Sequence, residues 1–300
     1  MRTLCFGEAL VDLICPKPVV SLSEVDGLVP HSGGVSANIA VSAVRVGARI
    51  AFAGGAGDDA WGTWLRERLE AERVDLEWFR LIDGQRTGVA FVTVDDGGDA
   101  VYDLIGDGIA AAVSALKPLL IEAVDGTDAL CFSSNMLAGA AEAKLTMAAR
   151  ERALELGHPI VFDPNVRLGR WDQNSARAGA ASAACVPGAF LVKCNEAEAR
   201  MMTGEDDGAD AAESLLAAGA QHVIVTRGER GAILRGGGMR RDAAAVPVQP
   251  LSTVGAGDVF LGVVLGRLSM SDFYPTALAS ALPEAVAEAT RACRRWGTLE

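Results

Sequence analysis

Thr253-Val254-Gly255-Ala256-Gly257-Asp258-Val259-Phe260 runs straight into an apolar stretch that ends near Leu268. Gly255 and Gly257 carry no Cβ, so the backbone can turn tightly and the amides of Gly255, Ala256, Gly257 and Asp258 can converge on one anion. The dipole of the helix that follows adds to that attraction. From these residues alone Asp258 has two readings. It is a first-turn helix acid, or a general base beside an anion-binding nest, suited to deprotonating an alcohol that attacks a phosphoryl group.

Outward from this turn the chain alternates β-rich runs with alanine-rich helical ones. Strands are predicted at 3–6, 50–53, 129–133, 160–163, 190–193 and 223–226, and helices at 36–46, 60–71, 141–156, 175–184, 209–218 and 256–268. That order predicts an α/β fold with a mostly parallel sheet, whose ligands gather at the carboxyl ends of the strands. Two segments break the alternation: 13–31, rich in Val and Pro, and 88–104, a hairpin around Asp95-Asp96-Gly97-Gly98. Strands without flanking helices predict a small second sheet beside the main one. With no linker and no internal repeat, residues 1–300 read as one domain with that insertion.

Composition removes several classes of function. Lys and Arg number 27 against 39 Asp and Glu, a net charge of −12 with no basic run, which excludes a long nucleic-acid groove. Half of the residues are hydrophobic, which excludes a disordered chain. His31, His158 and His222 have no histidine partner at helical spacing for a metal pair, and the six cysteines form no C-x-x-C and read as buried thiols. Glu8 and Asp12 interrupt any signal-peptide core, and no long apolar run suggests a membrane span, so the cytoplasm is the expected compartment.

Four further stretches could carry chemistry. Ser32-Gly33-Gly34-Val35-Ser36-Ala37-Asn38 opens a helix, with a di-glycine for close backbone approach and Asn38 as donor and acceptor to a hydroxyl. Asp12, in Gly7-Glu8-Ala9-Leu10-Val11-Asp12, reads as a carboxylate after the first strand, which could accept from paired hydroxyls or be only solvated. Asn195 and Glu198 share a helix face and read both as a capping box and as a site for water around Mg²⁺. Thr226, Gly228 and Gly231 form a strand end that could wrap a nucleotide or make a plain turn. Gly55-Ala56-Gly57-Asp58-Asp59-Ala60 imitates a dinucleotide fingerprint, but its aspartates would repel a pyrophosphate. There is no P-loop and no G-x-S-x-G nucleophile elbow.

Together these stretches resemble the PfkB family of carbohydrate kinases, of ribokinase-like fold. Thr253 to Asp258 is similar to the family's D-T-x-G-A-G-D, and Gly33-Gly34 with Asn38 to its amino-terminal di-glycine motif, about 220 residues earlier. The resemblance implies a three-layer fold with a β lid formed by 13–31 and 88–104. It implies that Asp258 is the base and that Gly255, Ala256 and Gly257 form the anion hole. Asp12, Gly33, Gly34, Asn38 and Tyr102 would hold the sugar. Asn195, Thr226, Gly228, Gly231, Gly255 and Gly257 would hold ATP, with Glu198 holding Mg²⁺ through water. Asp163-Pro164-Asn165-Val166-Arg167 resembles the D-P-N-x-R of the fructokinase and 2-keto-3-deoxygluconate kinase branch, which would set Arg167 beside the substrate or the phosphate in flight.

Departures from the pattern narrow the expectation. Ser252 replaces the motif's first Asp, which weakens the case for a monovalent cation at that loop. Leu104 stands where fructokinase-like and keto-sugar-acid kinases usually carry an Arg, so it offers no charge to a carboxylate, and Asp103 and Asp107 would repel one. A small neutral sugar, a fructose-like ketose, is therefore the favoured substrate of an ATP-dependent kinase. The alternatives are a 2-keto-3-deoxygluconate, inositol or nucleoside kinase of the same fold, or a non-catalytic binder of sugar or nucleotide. The open edges of the lid suggest a homodimer through it.

Overall fold

A computed structural model describes residues 1–105 and 109–299. Asp107 lies outside the described residues. The large sheet contains β1 (Arg2–Glu8), β4 (Arg49–Gly57), β5 (Phe79–Ile82), β8 (Ala129–Ser133), β9 (Ile160–Asp163), β10 (Leu191–Asn195), β11 (His222–Thr226), β12 (Ala232–Gly236) and β13 (Met239–Ala243). Their order is β13-β12-β11-β10-β9-β8-β1-β4-β5, parallel except for the β11-β12-β13 meander at one edge. The small sheet has the order β3-β2-β6-β7, from β2 (Leu10–Ile14), β3 (Val29–Gly33), β6 (Gly88–Val94) and β7 (Ala100–Ile105), with β2 and β6 parallel.

All six predicted strands are present, and so is the separate small sheet. Its strands reach beyond 13–31 at both ends, because the β-rich run from Arg2 to Ile14 is divided only at Ala9 between the two sheets. Asp12 therefore lies inside the small sheet and not in a loop after β1. Two helices were not expected: α3 (Ala110–Asp125) contains Pro118 and α9 (Thr276–Ala292) contains Pro283. An internal proline reads as a helix breaker, yet burial of Leu116 and Leu120, and of Leu278 and Leu282, holds each helix against its layer.

One helical layer holds α1 (Val35–Arg45), α2 (Ala60–Ala71), α8 (Ala256–Met270) and α9. The other holds α3, α4 (Ala140–Glu155), α5 (Ser175–Ala183), α6 (Glu196–Thr203) and α7 (Gly208–Ala217). Strand β1 feeds both, with Cys5 facing the first layer and Leu4 and Phe6 the second. The strand order reverses at β1, so the crevice beside its carboxyl end is a topological switch point, where open α/β sheets take ligands.

Helix α8 is buried continuously from Asp258 to Gly266, so it is apolar on nearly every side. It approaches α1 very closely. A Cβ at Gly262 would lie 2.3 Å from Cβ of Ser42, and one at Gly266 would lie 2.3 Å from Cγ2 of Val46. This contact clamps the helix that carries Asn38 onto the helix that carries Asp258. The dinucleotide-like stretch is structural: Asp59 caps α2 by accepting from the Gly62 amide at 2.9 Å, and its other oxygen accepts from the Thr87 amide at 3.0 Å.

Candidate functional site

Gly255 caps α8 with φ of 68°, and the turn delivers Asp258 to the helix's first turn with 3% of its surface exposed. Each carboxylate oxygen accepts from one amide: Asn38 Nδ2 donates to Oδ2 at 2.9 Å, and Asn165 Nδ2 to Oδ1 at 3.1 Å. Burial raises the Asp258 pKa to about 6, and Asp163 pushes the same way, while the Asn38 hydrogen bond, Arg167 and Lys193 favour the ionised form. A carboxylate near 6 is ionised at neutral pH and still basic enough to take a proton.

Beside it opens a cavity of about 870 Å³. Gly255, Ala256, Gly257 and Asp258 form one wall; Asn195, Glu198, Thr226, Gly228 and Gly231 line it farther along the sheet's carboxyl edge. Tyr102 and Arg167 also line it, with the guanidinium 4.6 Å from the centre of the Tyr102 ring. Burial opposes the Arg167 charge, but Tyr102, Asp258, Glu198 and Asp12 hold its pKa above the usual value. Asp12, Gly33, Gly34 and Asn38 do not line this cavity and meet it only at Asp258. All four are buried where the small sheet meets α1.

There Asp12 shares a cross-strand row with Ala90 and Leu104. A Cβ at Gly33 would fall 2.3 Å from Asp12 Oδ2, so only glycine leaves the carboxylate its place. Burial raises the Asp12 pKa to about 7, with Arg167 pulling it down and Asp258 and Glu8 pushing it up. The alternation of β7 corrects one expectation. Tyr102 and Leu104 pack inward while Asp103 faces out, so Asp103 cannot repel a bound carboxylate. The uncharged inward position is Leu104.

The capping-box reading of Asn195 and Glu198 holds: Glu198 N donates to Asn195 Oδ1 at 2.8 Å, and Asn195 N donates to Glu198 Oε2 at 2.9 Å. Glu198 Oε1 also accepts from the Val166 amide at 2.9 Å. Burial, chiefly, raises the Glu198 pKa. Among the described residues no cluster of three or more His, Cys, Asp or Glu could cage a metal. The donors suit an ion that keeps most of its waters and leans on phosphates, as Mg²⁺ does. Ser252 is fully buried, its Oγ accepts from the Val254 amide at 3.1 Å, and residues 250–257 contain no carboxylate. This loop does not fit a cation anchored by a carboxylate.

Sequence reasoning missed four residues at the site. Lys193 forms a buried ion pair with Asp163 at 3.2 Å, and its Nζ would lie 3.1 Å from a Cβ at Gly257, so an ammonium sits under the glycine turn that opens α8. Burial opposes that charge, and Asp163, Glu198 and Asp258 sustain it. Glu8 Oε1 accepts from the Val35 amide at 3.2 Å and from Asn135 Nδ2 at 3.0 Å, supplying the α1 cap that Gly34 has no side chain to make. Asn165 holds Asp258. Thr298, 2% exposed, fills the space over Gly255 and lies 3.4 Å from Asn38 Nδ2. Lys193 left a trace as a charge inside an apolar strand, and Asn165 as the Asn of the D-P-N-x-R stretch, with no role attached to either.

Gly255→Ala places a Cβ 1.9 Å from Thr298 Oγ1 at a left-handed φ. Strain and overpacking together cost about 2–5 kcal/mol, so calorimetry is expected to show a Tm lower by roughly 3–8 °C. Adding Thr298→Gly removes the clashing atoms and should restore more than half of that loss. No restoration would mean that Thr298 is not what confines this turn.

Comparisons with known proteins agree with this architecture. The family model described as pfkB family carbohydrate kinase matches residues 2–295. A probable fructokinase-2 of Arabidopsis thaliana is 30% identical over 267 residues, covering 88% of this chain and 80% of that protein. A double mutant of fructokinase from Vibrio cholerae O395, in a form bound to fructose, ADP and potassium ion, superposes with a TM-score of 0.84 at 26% identity, covering 99% and 94% of the two chains. Aminoimidazole riboside kinase from Salmonella enterica, complexed with aminoimidazole riboside and an ATP analogue, superposes with a TM-score of 0.81 at 26% identity, covering 100% and 95%.

Proposed function

The chain belongs to the pfkB family of carbohydrate kinases, and from that premise we propose that it transfers the γ-phosphoryl group of ATP to a hydroxyl of a small neutral sugar, a fructose-like ketose. The observation that carries this reading is the Asp258 carboxylate, held by two amides at a helix N-terminus on the wall of a large cavity, with Asn38 joining it to the buried residues where the small sheet meets α1. A base placed there suits an alcohol arriving from one side and a phosphoryl group from the other.

In this reading Asp12, Gly33, Gly34 and Asn38 hold the sugar, with Tyr102 and Arg167 on the cavity wall close to Asp12. Asp258 takes the hydroxyl proton as the new O–P bond forms and the bond to the ADP oxygen breaks. The amides of Gly255, Ala256 and Gly257, with Lys193 Nζ beneath, face the charge that develops on the phosphoryl oxygens. Asn195, Thr226, Gly228 and Gly231 hold the nucleotide. Mg²⁺ carried with ATP would neutralise phosphate charge, held through water at Glu198. Leu104, an apolar group in the row of Asp12, supports a neutral substrate over a sugar acid. The reading also includes a single cytoplasmic domain, the small sheet as a lid, and a homodimer through the lid's outer face, where Val101 and Ile105 are exposed. The likeness to aminoimidazole riboside kinase supports a nucleoside as the second substrate reading.

ATP–Mg turnover across fructose, ribose, 2-keto-3-deoxygluconate, inositol and a nucleoside tests these readings together. Fructose or a close ketose is expected to be the best acceptor. Because the base works only when ionised and its pKa is about 6, kcat should be flat above that pH and fall about tenfold per unit below it. Nucleotide binding with no turnover of any acceptor would replace the kinase by a non-catalytic binder.

A further inference from the structure

We propose that Asn165 is a positioning residue for the Asp258 carboxylate, and that the left-handed backbone at this position exists to aim its amide. The inference rests on the reading of Asp258 as the base. Asn165 follows β9 in Asp163-Pro164-Asn165-Val166-Arg167 and has φ of 38°, a conformation that asparagine tolerates better than most residues. Both flanks are pinned. The Pro164 carbonyl accepts from the Ser134 amide at 3.2 Å, and the Val166 amide donates to Glu198 Oε1 at 2.9 Å. Between these anchors the side chain is 7% exposed and its Nδ2 reaches Asp258 Oδ1 at 3.1 Å.

Two features separate this contact from ordinary loop packing. The strain is of the kind retained where the surroundings overdetermine a conformation. The amide also has its oxygen, Oδ1, buried without a partner among the described residues, as does Asn38, so the one hydrogen bond that the Asn165 side chain makes among them is the one to Asp258. Asn38 holds the other carboxylate oxygen at 2.9 Å. With one amide on each oxygen, the carboxylate cannot rotate, and a lone pair stays free for the hydroxyl proton. The charged groups that also face Asp258 are Asp12 from β2, Asp163 at the end of β9, Arg167, and Lys193 from β10. None of them shares the Asn165 position in contact with Oδ1.

Two variants test this. Asn165→Gly adopts the backbone without strain and lacks the amide; Asn165→Asp keeps the backbone preference and sets a carboxylate in its place. The Asp258 carboxyl is followed by ¹³C NMR titration, identified by its loss in Asp258→Asn. Its midpoint should rise by about one unit in Asn165→Gly, since a donor to the ionised form is gone, and by more in Asn165→Asp. Steady-state kinetics at pH 7 should show kcat falling at least about tenfold with KM for the sugar changed less than about threefold. An unmoved midpoint in both variants overturns the inference. So does a raised KM with kcat intact, which would make Asn165 a substrate contact. The titration needs no substrate, so it still decides the inference if the wild-type protein phosphorylates none of the acceptors, a result that would instead defeat the kinase reading.

Discussion

Asp258→Asn is expected to lower kcat by about 10²- to 10⁴-fold, the usual contribution of a positioned general base, with KM for sugar and ATP little changed. The substitution is nearly isosteric, so what it removes is basicity. The new amide presents one oxygen where the carboxylate had two, and either Asn38 or Asn165 would then face a donor with a donor. Both have an unpartnered Oδ1, so a flip of one amide repairs the clash and Tm should stay within a few degrees. Asp12 is the control, because it is a second buried carboxyl close to Asp258 with a raised pKa, about 7. Asp12→Asn should raise KM for the sugar more than it lowers kcat, and leave the acid limb near pH 6 in place. If Asp258→Asn kept full activity, or if the acid limb vanished in Asp12→Asn instead, the base would be misassigned.

Lys193→Met should be the most damaging single change to stability at the site. Lys193 and Asp163 are 4% and 0% exposed and 3.2 Å apart. Removing the ammonium leaves Asp163 buried with no cation and close to Asp258, which costs about 3–5 kcal/mol. For a chain of this size that is a fall in Tm of roughly 5–8 °C by calorimetry. Activity should fall as well, by about 10²-fold or more, if the ammonium under Gly257 stabilises the phosphoryl group in flight. The double variant Lys193→Met/Asp163→Leu separates the two effects, since an apolar pair often substitutes for a buried ion pair without loss of stability. It should regain most of the Tm and none of the activity. Recovery of both would confine the pair to a structural role.

Much of this molecule could be read before it was seen folded. The six core strands, the helix after Gly255 and the hairpin at 88–104 follow from local periodicity and from turn residues. The two helices that were missed carry Pro118 and Pro283 inside them, where local propensity argues against a helix and only burial of the apolar face argues for one. The same contrast runs through the site. Asn195 with Glu198 was legible as a capping box because the two residues are three apart. Asn165 carries no local signal of contact with Asp258, because they are 93 residues apart and meet only when β9 and α8 share one sheet edge.

By itself, then, the sequence determined the alternation of strands and helices, the two glycine turns that open α1 and α8, and the carboxylates placed beside those turns. Each depends on neighbours along the chain. The tertiary structure decided which groups surround Asp258: Asn38 from 220 positions away, Asn165 from the end of β9, Lys193 under Gly257, and Thr298 over Gly255. It also decided that Asp103 faces away from the site while Leu104 faces in, because a strand's inner face is known only once the sheet has something to pack against. Burial then raised the Asp258 pKa to about 6, a property of the assembled site that the ordinary titration of an aspartate does not contain.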